Sequence, residues 1–280
     1  MNLIEALKQA EKTLIENDIE SARLEAEILL AHILNKNRLF IYVNPNESLN
    51  DEQVASYQNL ISRRALHEPT AYLINHREFM NLDLLVTNDV LIPRPETEIL
   101  VETVINRLKN LSGKIKIADI GTGSGAIALS ILHILDNVEA VAIDISEASL
   151  EVAKNNANRY NLSDRIIFQQ GDLLNPLIGQ KFNAIVSNPP YIQSNDIEAL
   201  QIEVAKYEPR IALDGGVDGL DFYRRLIEDS PQLLLNGGFL AIEIGHNQAE
   251  AIKQLAKSKF NHVEIFKDLS NHNRIVVMEI

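Results

Sequence analysis

Apolar positions recur at two different periods along this chain, and the change of period divides it. Over the first third the period is helical. In segment 2–17, NLIEALKQAEKTLIEN, residues Leu3, Ala6, Leu7, Ala10 and Leu14 share one helical face. Segment 20–35, ESARLEAEILLAHILN, predicts a face of Leu24, Ile28, Ala31 and Leu34. Segment 51–66, DEQVASYQNLISRRAL, aligns Val54, Tyr57, Leu60, Ile61 and Leu66, with Asp51 as the expected N-cap. A small helical bundle is predicted over residues 1–75. Residues 76–112 change character. Partial alternation from Phe79 to Ile92, with Thr87-Asn88-Asp89 as a turn signal, predicts a short β-hairpin. Pro95 suits a first helical turn, and Glu96 and Glu98 favour the positive end of the helix dipole. That linker helix is expected to run to a stop at Gly113.

From residue 113 to 280, apolar strands alternate with helical segments. KIKIADIG, EAVAIDI, RIIFQQGD and FNAIVSNPP read as strands, and GAIALSILHIL and EASLEVAKNNANRY as helices. Near-continuous apolar strands between helices indicate a parallel sheet covered on both faces. The end differs. After GGFLAIEIG and a helix, HVEIFKD and NRIVVMEI are separated only by LSNH, which predicts an antiparallel final hairpin. The predicted fold class is α/β, a Rossmann-like sheet with an antiparallel final strand, plus the N-terminal helical bundle.

Composition removes several chemistries. The chain has no cysteine, which excludes disulfides, thiolate zinc sites and a cysteine nucleophile. The histidines show no H-x-x-x-H pairing, and no metal is expected. A net charge of −13 argues against an overall nucleic-acid footprint. The acid-bearing N-terminus is not expected to act as a signal peptide, and no apolar run approaches the ~20 residues that span a bilayer. A cytoplasmic location without membrane contact is expected. Arg63-Arg64 reads as a solvated basic face, and GGVDGLD at 215–221 as a solvated turn before a helix.

Four strand ends carry candidate chemistry. In ADIGTGSGAIALS, Asp119 ends a strand and Gly121, Gly123 and Gly125 lead into a helix. The spacing departs from the G-x-G-x-x-G of nicotinamide and flavin sites, because the third glycine comes one residue early. Asp119 would repel a pyrophosphate but suit the ammonium group of S-adenosylmethionine, which has no phosphate. Asp144, at the next strand end, suits the ribose hydroxyls of an adenosine ligand. Asp172, with Leu173 against the ring, suits the adenine side. Asn188-Pro189-Pro190-Tyr191 follows the fourth strand. Asn188 offers an acceptor, the prolines withhold N–H donors on a stiff turn, and Tyr191 offers an aromatic face. Together they read as a slot for a planar –NH2 group.

NPPY with DIGTGSG resembles the methyltransferases that act on planar nitrogens with S-adenosylmethionine. REF at 77–79, LIPRPETE at 91–98, YEPRIALDGGVDGLDFYRRLI at 207–227 and the helical N-terminal part narrow this. They resemble the HemK/PrmC-type protein-(glutamine-N5) methyltransferases of peptide chain release factors, over nearly the whole chain. The resemblance implies a class I S-adenosylmethionine-dependent methyltransferase that modifies the glutamine of the release factors' GGQ motif and releases S-adenosylhomocysteine. It implies that Gly121, Thr122, Gly123, Ser124 and Gly125 line the cofactor, with Asp144 on the ribose and Asp172 and Leu173 on the adenine side. Asn188 would touch cofactor and substrate. Pro189, Pro190 and Tyr191 would cradle the amide, with Phe79 and Arg94 bordering the pocket. Residues 1–75 would recognise the protein substrate, residues 113–280 would be catalytic, and a monomer is expected. Asn75 and Asn81 stand where the family usually has glycine. Asn tolerates positive φ, so the hinge is expected to survive. The rivals are a DNA adenine-N6 methyltransferase, a glutamine methyltransferase of a ribosomal protein, and a non-catalytic binding module. Acidic net charge disfavours the first, and an intact amide slot disfavours the last.

Overall fold

The computed structural model describes all 280 residues, which form two compact units. The first comprises residues 1–76 with 201–207. Its helices are α1 (Leu3–Ile15), α2 (Ala22–Leu34), α3 (Arg38–Val43), α4 (Asp51–Ala65) and α5 (Thr70–Ile74). Helix α1 opens with a capping box. Asn2 accepts from the Glu5 N–H at 2.9 Å, and Glu5 accepts from the Asn2 N–H at 3.0 Å. Helix α4 repeats the device with Asn50 and Gln53, so the cap is Asn50 and Asp51 falls in the first turn. The apolar face of α1 is the predicted one, with Leu3, Ala6, Leu7, Ala10 and Leu14 buried.

The face of α2 is rotated from the predicted one. Ala22, Ala26, Leu29 and Leu30 are buried, while Leu24 is exposed. Helix α2 packs against both α1 and α4, and small alanines permit the close approach that Leu24 would prevent. Arg64 is also corrected. It is 3% exposed, and its guanidinium meets Glu25 at 3.3 Å and Glu203 at 2.5 Å. Glu203 lies on the returning segment 201–207, which the Tyr207 hydroxyl also ties in by donating to the Leu66 carbonyl at 2.7 Å.

The second unit comprises residues 77–200 and 208–280. It begins with the hairpin β1 (Arg77–Phe79) and β2 (Leu82–Leu84). The turn is Met80-Asn81, both at positive φ (49° and 63°), and not Thr87–Asp89 as predicted. A two-residue turn of this hand matches strand twist, and asparagine tolerates it. Thr87 and Asp89 instead close a local turn, with the Val90 N–H donating to the Thr87 carbonyl at 3.1 Å. Helix α6 (Pro95–Leu108) starts at Pro95 as expected but ends before Gly113.

The sheet follows: β3 (Ile115–Ile120), α7 (Ala126–Ile134), β4 (Val138–Asp144), α8 (Glu147–Arg159), β5 (Ile166–Gln170) and β6 (Phe182–Ser187). After α9 (Ile202–Tyr207), the returning segment of the first unit, come α10 (Asp221–Asp229), β7 (Leu234–Glu243), α11 (Ala249–Ala256), β8 (His262–Lys267) and β9 (Asn273–Glu279). Strand order is β5-β4-β3-β6-β7-β9-β8, and β9 alone runs opposite to the other six strands. Period-2 alternation splits the core between two faces. Ile115 and Ile117 join α6 and α7, whereas Ala118 and Ile120 join α10 and α11. The order reverses between β3 and β6, so their carboxyl ends flank a topological switch point, where open α/β sheets bind ligands.

Candidate active site

A cavity opens at that switch point. Its walls include Gly121, Thr122, Gly123 and Ser124 after β3, Asp144 and Ile145 at β4, and Gly171, Asp172 and Leu173 after β5. Asn188, Pro189 and Pro190 after β6 complete one side, and Val90, Arg94 and Thr97 another. The glycine loop is held from β4. The Gly121 and Thr122 N–H groups donate to the Ile143 carbonyl at 2.8 and 3.0 Å. Asp144 accepts from the Gly123 N–H through Oδ2 and from the Ser146 N–H through Oδ1, each at 2.9 Å. Burial pushes the Asp144 carboxyl above its usual pKa, against the pull of those backbone donors. Buried Asn156 braces the loop by donating to the Ser124 carbonyl at 2.9 Å.

Four predicted residues are not on the cavity wall. Asp119 is 0% exposed. Strand alternation turns it onto the α7 face, where Oδ2 accepts from the Thr122 hydroxyl at 2.7 Å and the Ala128 N–H at 3.2 Å. It therefore anchors the loop from beneath and does not face a ligand ammonium. Gly125 caps α7 at φ +82°. An added Cβ would come within 2.9 Å of the Leu129 Cδ1, so its role is packing and not lining. Phe79 is 1% exposed, buried with Leu82, Leu84 and Leu100 in the core, because its position in the hairpin points inward. Tyr191 is a fourth correction. Its ring packs against the α10–α11 core cluster rather than along the wall, and burial pushes its hydroxyl pKa up to about 12.

The remaining site residues stand at strand ends, except Arg94, which precedes α6. Asp172 lines the cavity and forms an ion pair with Arg225 at 2.6 Å. Leu173 sits at φ +51°, an unusual backbone for leucine of the sort that clusters at ligand sites. Arg94 lines the cavity and pairs with buried Glu208 at 2.5 Å. The Asn188 amide donates through Nδ2 to the Thr97 hydroxyl oxygen at 3.1 Å, while Oδ1 accepts nothing from the chain. Thr97 in turn donates to Glu243 Oε2 at 2.6 Å.

Thr97, Val90 and the backing of the proline turn were not foreseen. Glycines of the GGVDG turn are that backing, while its tip at Val217 and Asp218 is exposed ahead of α10, as expected. Gly215 and Gly219 are buried, and a Cβ on Gly219 would lie 2.4 Å from the Tyr191 carbonyl oxygen. Gln248 Nε2 clamps both strands of this contact, donating to the Tyr191 and Gly219 carbonyls at 3.0 and 3.1 Å. The paired glycines in YEPRIALDGG were the available signal, since only glycine admits so close a backbone approach.

The donor set selects among ligands. Arg94 is the only lysine or arginine on the wall, and Glu208 neutralises it, whereas Asp89, Asp144 and Asp172 all line the cavity. A cationic adenosine ligand fits such a wall, and a pyrophosphate does not. Gly121 and Gly123 leave open space where a Cβ would stand. Seven strands with an antiparallel β9, and a glycine loop at an acidic switch point, define the class I methyltransferase fold. Two solved structures share that fold. The hMettl16 catalytic domain solved with the MAT2A 3′UTR hairpin 6 is 19% identical, covers 84% of each chain and has a TM-score of 0.55. The T. thermophilus 16S rRNA N2 G1207 methyltransferase (RsmC), solved with AdoMet and guanosine, is 17% identical, covers 73% of this chain and 49% of that one, and has a TM-score of 0.53.

Sequence relatives narrow the class. The PrmC N-terminal domain matches residues 5–74, and the methyltransferase small domain matches residues 95–206. The release factor glutamine methyltransferase of Moorella thermoacetica is 43% identical over 276 residues, which is 98% of this chain and 97% of the relative. That of Bacillus anthracis is 41% identical over 286 residues, covering all of both chains. The chain belongs to the release factor glutamine methyltransferase family. No helix is long and apolar enough to cross a membrane.

Proposed function

We propose that this protein transfers a methyl group from S-adenosylmethionine to the side-chain amide nitrogen, N5, of the GGQ glutamine in peptide chain release factors. Family membership supports the reading. The observation that carries it is the Asn188 amide, with Nδ2 engaged by Thr97 and Oδ1 left without a partner beside the cavity. S-adenosylmethionine supplies an electrophilic methyl on a sulfonium, and leaves as S-adenosylhomocysteine. Asp144 receives the ribose hydroxyls on lone pairs left over from Gly123 and Ser146, and Asp172 and Leu173 border the adenine. The loop from Gly121 to Ser124 borders the rest.

A primary amide nitrogen is a weak nucleophile because its lone pair is delocalised into the carbonyl. Asn188 Oδ1 and the Pro189 carbonyl accept its two N–H bonds. They favour a more tetrahedral nitrogen and stabilise the positive charge that grows as the N–C bond forms and the C–S bond breaks. The nitrogen then releases one proton to water. Pro190 lacks an N–H, so the turn presents acceptors and no competing donor. Arg94 borders the amide's approach, neutralised by Glu208. The substrate is a protein and not nucleic acid, in keeping with the charge of −13, and the enzyme acts as a cytoplasmic monomer.

The test supplies methyl-labelled S-adenosylmethionine with either release factor or duplex DNA and maps the labelled atom. Label on the release-factor glutamine is expected, and label on DNA alone overturns the reading. Asn188→Ala should lower turnover by about a hundredfold or more while weakening cofactor binding only modestly.

A further inference from the structure

Glu243, the last residue of β7, is 1% exposed and forms no ion pair. A buried carboxylate without a cation is costly and calls for a reason. Burial pushes its pKa up to about 7, against the pull of Thr97, Arg274 and Tyr191. It is held in place on both sides. The Tyr223 hydroxyl donates to its carbonyl at 3.0 Å, and the Arg274 guanidinium donates to the adjoining Ile244 carbonyl at 3.4 Å. Its side chain meets the Thr97 hydroxyl, and Thr97 meets Asn188.

We propose that Glu243 and Thr97 are positioning residues that fix which end of the Asn188 amide faces the substrate. The inference rests on the reading that Asn188 Oδ1 accepts the glutamine amide. Above about pH 7 the Glu243 carboxyl is ionised and only accepts hydrogen bonds. The single Thr97 hydroxyl proton is therefore committed to Glu243 Oε2, at 2.6 Å. Toward Asn188, Thr97 has only lone pairs left to offer. The Nδ2 end of the amide must then turn to Thr97, at 3.1 Å, and the Oδ1 end must turn away from it. The two ends of an amide are nearly isosteric, so packing alone does not distinguish them. With the chain removed, the flipped amide sets an NH2 group against the NH2 group of the substrate, donor against donor. Three elements supply the three residues: β7, the first turn of α6, and the turn after β6. One orientation thus follows from the protonation of a group behind the cavity wall.

Thr97→Val keeps the shape of the side chain and removes the hydroxyl; Thr97→Ser keeps the hydroxyl. Turnover and KM for release factor, and cofactor affinity by calorimetry, are measured for both, for Asn188→Ala and for the Asn188→Ala/Thr97→Val double variant. Thr97→Val should lower kcat by about ten- to hundredfold, with cofactor affinity held within about threefold. Thr97→Ser should remain within about threefold of the parent. In the Asn188→Ala background Thr97→Val should cost nothing further, because its effect passes through Asn188. Parent turnover in Thr97→Val, or an equal added loss in the double variant, overturns the proposal while leaving the amide cradle intact. Parent turnover in Asn188→Ala removes the underlying reading and the proposal with it. Thr97→Ala is read in the same way should Thr97→Val not fold.

Discussion

Replacing Asp119 by Asn probes the buried anchor of the glycine loop. Its Oδ2 holds the Thr122 hydroxyl and the Ala128 N–H, while Oδ1 has no partner. Burial pushes the carboxyl from 3.8 up to about 6, against those two hydrogen bonds, and the nearby Asp144 charge adds to the rise. In the unfolded chain it titrates near 3.8. Between these values the folded protein keeps a proton that the unfolded chain has released. Stability contributed by this group is therefore full below about pH 4 and is lost as pH rises through about 6. At ~1.4 kcal/mol per pKa unit the loss is on the order of 3 kcal/mol. Asparagine is isosteric, keeps an acceptor for both bonds and does not titrate. It leaves a buried NH2 group unpaired, a pH-independent cost of ~1–3 kcal/mol or more. The parent's advantage over Asp119→Asn should accordingly shrink by on the order of 3 kcal/mol between about pH 4 and about pH 7. The chain has no tryptophan, so urea unfolding is followed by far-ultraviolet circular dichroism. A difference that stays constant with pH would refute the placement of an ionising carboxyl beneath the loop.

Asp144→Ala removes the acceptor for Gly123, for Ser146 and for the proposed ribose hydroxyls, and should weaken S-adenosylmethionine binding by about a hundredfold in calorimetry. Unchanged affinity would detach Asp144 from the ligand. Gly125→Ala places a Cβ 2.9 Å from Leu129 Cδ1 at φ +82°, and should lower unfolding stability by roughly 2 kcal/mol or more. A neutral result in the same urea assay would show that the loop relaxes freely.

Much of the site was legible because parallel strands bring their carboxyl ends to one edge. Once the strands were recognised, Asp144, Asp172 and Asn188 had to converge, whatever the spacing between them in the chain. The charge argument was legible only in part: Asp119, on which it rested, turns onto the α7 face, while Asp89, Asp144 and Asp172 line the wall. The misplaced residues share a different cause. Asp119 and Phe79 sit in strands whose facing depends on register, and a side chain one position away points to the opposite face. Tyr191 follows a turn whose direction is set by the glycines at 215 and 219 packing behind it.

Sequence alone determined the alternation of elements, the glycine loop and the rigid Asn-Pro-Pro turn, because periodicity and backbone freedom are local properties. Tertiary structure alone decided that Arg64 is buried between Glu25 and Glu203, and that GGVDG backs the proline turn. It alone joined Glu243 to Asn188 through Thr97, residues 146 and 91 positions apart in the pairs that bond. Hydrogen-bond direction is a property of neighbours in space, and no spacing along the chain encodes it.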